Sequence, residues 1–252
     1  MSTAALIAVG ILARRELTRF LRQPARLAAG IGTPLMLLAF LGSGVGEAFR
    51  PAALEGSYAA FVLPGMMMLV LVFTAIFAAI ALIDARRDGW LQAVMTAPVP
   101  RWTIAAGPAL GATIIGLLQA AVLLPAAWLL GAGPGVAGLL MALGILAATG
   151  LAVSGLGLAF AWRCETSAEY HAVMNTVLMP MWLLSGAFFP ADSAATWLGW
   201  IMRLNPLTWS TSGLRGALSG DLTAAGTGLA VSIAAALAAA GLAAAAARAR
   251  GR

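Results

Sequence analysis

WTIAAGPALGATIIGLLQAAVLLPAAWLLGAGPGVAGLLMALGILAATGLAVSGLGLAFAW, residues 102–162, runs from Arg101 to Arg163 without one charged side chain. A helix needs about 20 apolar residues to cross the roughly 30 Å hydrocarbon core of a bilayer, so this stretch is long enough to cross twice. Gly131-Ala-Gly-Pro-Gly135 near its middle supplies the reversal. A second charge-free run lies between Glu55 and Asp84. Neither run alternates polar and apolar residues over about 10-residue segments, as transmembrane barrel strands do. Of the 252 residues 62% are hydrophobic and 10% charged, with mean hydropathy +0.94; a soluble domain carries about 25% charged residues. The fold class is all-α and membrane-embedded.

Working outward from the quoted stretch, six spans are predicted, within one transmembrane domain covering residues 1–252. Residues 1–25 combine a short apolar start (Leu6, Ile7, Val9, Ile11, Leu12) with Arg14, Arg15, Glu16, Arg19 and Arg22. That is the composition of a helix lying at a membrane interface, and the arginines follow the apolar stretch, the reverse of a signal peptide. The first span covers residues 26–41, with Pro34 kinking it. An exposed loop (42–57) leads to the second span, 58–83, which opens on Pro64-Gly65. The third and fourth spans are 102–130 and 136–162, and the fifth is 170–189. Residues 191–220, with Asp192, Trp197, Trp200, Arg203, Asn205-Pro206, Trp209 and Arg215, are too polar for a lipid-facing span and too apolar for a free loop. They read as a re-entrant element on the outer side, two short helices broken at Asn205-Pro206, since irregular backbone at depth is tolerated where protein buries it. The sixth span is 223–247.

All fifteen basic residues are arginine. With both ends cytoplasmic, twelve arginines lie on inner segments against three (Arg50, Arg203, Arg215) outside, the orientation favoured by the positive-inside rule. Trp197, Trp200 and Trp209 then form an outer aromatic belt. Lacking lysine, the chain holds no P-loop, whose lysine reaches the β- and γ-phosphates. Cys164 is the single cysteine and His171 the single histidine, so no metal motif is spelled out. The arginines sit at span ends, where topology rather than nucleic acid accounts for them. The intramembrane polar residues Gln119 and Asn175 read as interhelical hydrogen-bonding groups.

Residues 84–101 form the most polar internal segment. Trp90, Leu91, Val94 and Met95 fall at helical spacing on one face; Asp88 stands where a helix starts, and Pro98 and Pro100 end it. A short amphipathic helix on the cytoplasmic side is predicted. It reads either as an interfacial turn floating on lipid or as a handle for a cytoplasmic motor.

Three stretches resemble the type-2 ATP-binding-cassette exporter permeases. They are Phe61-Val-Leu-Pro-Gly65; Asp84-Ala-Arg-Arg-Asp-Gly89 through Thr96-Ala-Pro-Val-Pro-Arg101 to Gly107; and Leu184-Ser-Gly-Ala-Phe-Phe-Pro190 with Asn205-Pro-Leu-Thr-Trp209 and Leu214-Arg215. Gln92 and Pro108 depart from that family's usual Glu and Lys. The resemblance implies a multi-pass permease of the bacterial cytoplasmic membrane, not itself an enzyme. It would pair with a second permease copy and two ATPase subunits that carry the ATP and Mg, leaving no cofactor in this chain. It also implies an amphiphilic cargo (a drug, lipid or lipid-linked glycan), ATPase coupling through Asp88, Gly89, Trp90, Leu91 and Met95, and a re-entrant element marked by Asn205, Pro206, Trp209 and Arg215. An ion-coupled secondary transporter and a non-transporting scaffold are the rival classes.

Overall fold

The computed structural model describes residues 3–45, 57–89, 94, 96, 100 and 102–249. All elements among them are helical: α1 (Thr3–Leu21), α2 (Pro24–Phe40) with a π-helical extension (Leu41–Val45), α3 (Tyr58–Arg87), α4 (Trp102–Leu129), α5 (Val136–Ala161), α6 (Ser167–Val173), a π-helical turn (Met174–Leu178), α7 (Met179–Leu183), a 3-10 turn (Ala191–Ser193), α8 (Thr196–Leu204), α9 (Pro206–Ser219) and α10 (Leu222–Ala249). Among the described residues five helices are long and apolar enough to cross a membrane: Pro24–Gly44, Tyr58–Arg87, Trp102–Leu129, Val136–Ala161 and Leu222–Ala247.

These five coincide with five of the predicted spans. The remaining one, expected over 170–189, differs. Helix begins at Ser167, capped by the Thr166 side chain, passes through the π-helical turn and stops at Leu183. Pro180 has no N–H to offer the Thr176 carbonyl inside that turn. At the far end the Ser185 N–H bonds back to the Trp182 carbonyl at 3.0 Å and Gly186 takes φ +76°, which ends the helix.

At the centre of the fold stands α3. Val62 to Val72 is buried without interruption, including Met66, Met67 and Met68. Its apolar residues point in every direction because α4, α5, α2, α7 and α9 all pack against it. The helix is also longer than expected, continuing past Ile83 through Arg87 to a cap at Asp88. Helices α5 and α10 lie together along most of their length, with Gly155 against Ala239 and Gly144 against Leu229. Small residues of this kind let membrane helices approach closely.

The N-terminal helix α1 lies on α4. Leu12 fills the space left by Gly107, and a Cβ at Gly111 would stand 2.9 Å from the Glu16 Cβ. Glu16, grouped by sequence with the exposed arginines, is therefore buried in a helix contact.

Candidate functional site

The first and third family-like stretches meet at the N-terminal end of α3, and the second begins at its C-terminal end. At its N-terminal end, Pro64 deprives the Ala60 carbonyl of a helical donor, and the surrounding turns take partners from elsewhere. Arg215 on α9 lays its guanidinium 3.9 Å from the Phe61 ring centroid and donates from Nη2 to the Phe61 carbonyl (3.2 Å) and the Gly186 carbonyl (3.0 Å). Trp182 on α7 donates from Nε1 to the Gly65 carbonyl at 2.8 Å and packs edge-on against Phe188, centroids 5.3 Å apart. Tyr58 donates its hydroxyl to the Phe188 carbonyl at 3.0 Å. Gly65 leaves room for Ala187.

The end of α7 is closed by α9. Because Ser185 N–H turns back to Trp182, the Met181 carbonyl loses its helical donor. Asn205 Nδ2 donates to it at 2.6 Å, while Asn205 Oδ1 accepts from the Leu207 N–H at 3.0 Å and so caps α9, with Pro206 in the first turn. Thr208 Oγ1 donates to the Leu184 carbonyl at 3.0 Å. One α9 turn thus starts its own helix and ends another.

Behind this junction α9 packs on α10, where a Cβ on Gly213 would stand 2.6 Å from the Gly228 Cα, and Ser210 and Ser232 share a 2.8 Å hydrogen bond. The predicted break at Asn205-Pro206 is present. Trp197 and Trp200 are 67% and 62% exposed, free to face headgroups, whereas Trp209 donates Nε1 to the Arg203 carbonyl at 2.8 Å.

At the other end of α3 the last turn is tied sideways. Arg86 donates to the carbonyls of Ala161 (3.4 Å) and Cys164, where the C-terminal dipole of α5 favours a cation. Asp84 Oδ1 accepts from Ser167 Oγ at 3.1 Å, and Arg19 of α1 donates to the Ala81 carbonyl at 3.1 Å. Glu16 nearby accepts from Arg15 at 3.3 Å, and its burial pushes the carboxyl above the usual carboxylate range, the neighbouring arginines pulling the other way. Asp88, expected to open a short helix, is the residue that caps α3, and Gly89 follows at φ +75°, where an added Cβ would meet nothing among the described residues. Trp90, Leu91 and Met95 lie outside the described residues.

Sequence reasoning placed Asn205, Pro206, Trp209 and Arg215 in one element, and the structure adds what they hold. It missed Trp182, Tyr58 and Thr208. Trp182 carried a usable signal, since an indole inside an apolar run needs a partner for its N–H. Of the two intramembrane amides, Gln119 accepts from Thr74 Oγ1 at 2.8 Å across helices, as read. Asn175 differs: it is exposed on the π-helical turn and makes no side-chain hydrogen bond among the described residues.

In comparison with known proteins, the family described as ABC-2 type transporter matches residues 7–219. The putative transport permease ycf38 of Cyanophora paradoxa is 26% identical over 208 residues, 81% of this chain and 72% of the relative. Nodulation protein J of Rhizobium leguminosarum bv. viciae is 30% identical over 209 residues, 78% of this chain and 76% of the relative. The linearmycin resistance permease protein LnrN of Bacillus subtilis (strain 168) is 31% identical over 154 residues, 60% of this chain but 39% of the relative.

Proposed function

The chain belongs to the ABC-2 type transporter permeases, and from that premise we propose that it is the membrane subunit of an ATP-driven exporter of amphiphilic molecules. ATP is hydrolysed by a separate pair of ATPase chains, and two permease copies form the path. The observation that carries this reading is the continuity of α3. A single helix of 30 residues, about 45 Å at 1.5 Å per residue, joins the segment that begins at Asp88 to the junction built on Phe61 and Gly65. A displacement applied at one end of a helix packed on all sides reaches the other end as a rigid shift. The motor would grip residues 84–101, with Asp88, Gly89, Trp90, Leu91 and Met95 at the contact.

Six crossings complete the topology, both termini cytoplasmic. The fifth is the unbroken helical run from Ser167 to Leu183, about 25 Å long, continued by the turn at 184–189. Its exposed Asn175 and Thr176 are polar groups open on an apolar span, which suits a wall of the translocation path. The α8–α9 pair caps that path on the outer side.

The test is recovery of a co-expressed ABC ATPase subunit by wild type and Trp90→Ala, with transport measured in parallel. Removing an interface anchor costs about 2 kcal/mol or more, roughly thirtyfold in affinity, so Trp90→Ala is expected to lose the ATPase while remaining in the membrane. Equal recovery and equal transport would return Trp90 to a lipid-anchoring role. Transport by this chain alone on an ion gradient would replace the exporter reading with secondary transport.

A further inference from the structure

We propose that the inner face of α1 builds a binding site for one water molecule, held by Glu16 and Gln23 and fixing α1 to the helices beside it. The course of α1 sets the problem. Leu12 meets Gly107 and Glu16 meets Gly111, so α1 runs parallel to α4 and enters the bundle with it. Gly111 lies about 14 Å along α4 from Trp102 at 1.5 Å per residue. From Glu16 onward the chain therefore lies beside the spans, where polar groups must be satisfied by protein or by bound water. Glu16, Arg19, Gln23 and Arg26 border a gap of about 20 Å³, closed by Thr74 of α3 and Ala112 of α4. Glu16 is buried, with Arg15 donating to its Oε1 at 3.3 Å. Arg19 gives Nη1 to the Ala81 carbonyl and has further N–H groups to donate. Gln23 Oε1 is buried and has no partner among the described residues.

Size and chemistry select the occupant. A buried water needs about 10–15 Å³ and two to four polar partners. A lipid headgroup or a cargo molecule does not fit in 20 Å³. A metal cation is repelled, because Arg15, Arg19 and Arg26 all act on Glu16. An anion has no proton to give the Gln23 carbonyl or the Glu16 carboxylate. Water can donate to both of those and accept from Arg19. Arg19 and Gln23 also border an open cleft of about 620 Å³ along Arg14, Thr18 and Arg22, so water reaches the gap from solution. Together with the Arg19–Ala81 bond, the water fixes the end of α1 to its neighbours. The site is independent of the exporter reading, and neither transport nor ATPase recovery enters its test.

The experiment is hydroxyl-radical footprinting of the full chain in detergent. X-ray pulses split bound and bulk water alike, and mass spectrometry reads the oxidised side chains. Phe20 borders the gap and is 7% exposed. It is expected to be oxidised in wild type, whereas Met66 and Met67, fully buried, stay unmodified despite their oxidisable sulfur. Gln23→Leu removes an acceptor, and Ala112→Leu fills the gap from α4. Each is expected to cut Phe20 oxidation several-fold at wild-type helicity, while the exposed Ile11 and Leu21 are modified as before. If Ala112→Leu does not fold, Gln23→Leu, at a half-buried position beyond α1, decides alone. Phe20 as unmodified as Met66 in wild type overturns the proposal. Phe20 as modified in either folded variant as in wild type also overturns it, since the radicals then came through the cleft. Amide exchange over residues 12–21 is expected to quicken in Gln23→Leu, and unchanged exchange overturns the anchoring role.

Discussion

The two ends of α3 are built on opposite plans. At the N-terminal end, Arg215, Trp182 and Tyr58 bind backbone carbonyls of two segments, α3 and the turn at 184–189, and Asn205 and Thr208 close the end of α7. At the C-terminal end the helix is braced up to Arg86, and Gly89 then takes a left-handed backbone with nothing among the described residues within 4 Å of an added Cβ. A brace and a hinge on one rigid rod are what a lever needs. In the exporter proposed above, motion would enter at the C-terminal end of α3 and be resisted at its N-terminal end, where several elements must move together. The predictions that follow test that asymmetry.

The largest effect is expected at Arg215. Arg215→Ala removes two charge-assisted hydrogen bonds and the ring contact with Phe61. At about 1.5–3 kcal/mol per hydrogen bond to a charged group, the loss in stability is about 3 kcal/mol. Thermal unfolding in detergent checks it. Arg215→Lys is expected to recover less than half, because an ammonium lacks the planar guanidinium that lies over the Phe61 ring. An Arg215→Ala chain as stable as wild type would remove the brace from the comparison.

Next comes the packing behind the brace. Gly213→Leu drives a side chain into Gly228, where even a Cβ stands 2.6 Å from its Cα. Overpacking of this kind costs about 1–3 kcal/mol, and the α9–α10 contact is expected to separate. Disulfide crosslinking between Ser210→Cys and Ser232→Cys, whose hydroxyls lie 2.8 Å apart, should fall sharply in that background.

Asn205→Ala loses the cap of α9 and leaves the Met181 carbonyl without its partner. A cap is worth about 1 kcal/mol, so a small drop in melting temperature is expected, with Asn205→Asp restoring the cap but not the Met181 bond.

The smallest stability effect sharpens the other side. Gly89→Ala meets no atom among the described residues but must hold φ +75°, at a cost of about 1 kcal/mol. Stability is expected to change little and transport per ATP to fall several-fold. Normal transport by Gly89→Ala would show that the pivot lies elsewhere.

Much of this architecture was legible in the chain. Charge-free runs bounded by charged residues gave the long helices, Gly131-Ala-Gly-Pro-Gly135 gave the α4–α5 reversal, and Asn205-Pro206 gave the break between α8 and α9. Each is a local property: length, a missing donor or a permitted φ decides it. Of the predicted span 170–189 only the part up to Leu183 is helical, because the stop there depends on Gly186 turning and on α9 being there to donate to the loose carbonyls.

What the sequence alone determined is therefore which residues are helical, which end is basic and where the chain must turn. Tertiary structure decided that Arg215 sits over Phe61, that Trp182 serves Gly65 and that Glu16 faces α4 rather than solvent. The reason lies in the solvent. In a bilayer an apolar side chain is equally content against lipid or protein, so hydrophobic pattern marks the membrane but not the neighbour. The neighbours are chosen by close packing at small residues and by polar groups that must find a partner, and both depend on helices far apart in the chain arriving at one place.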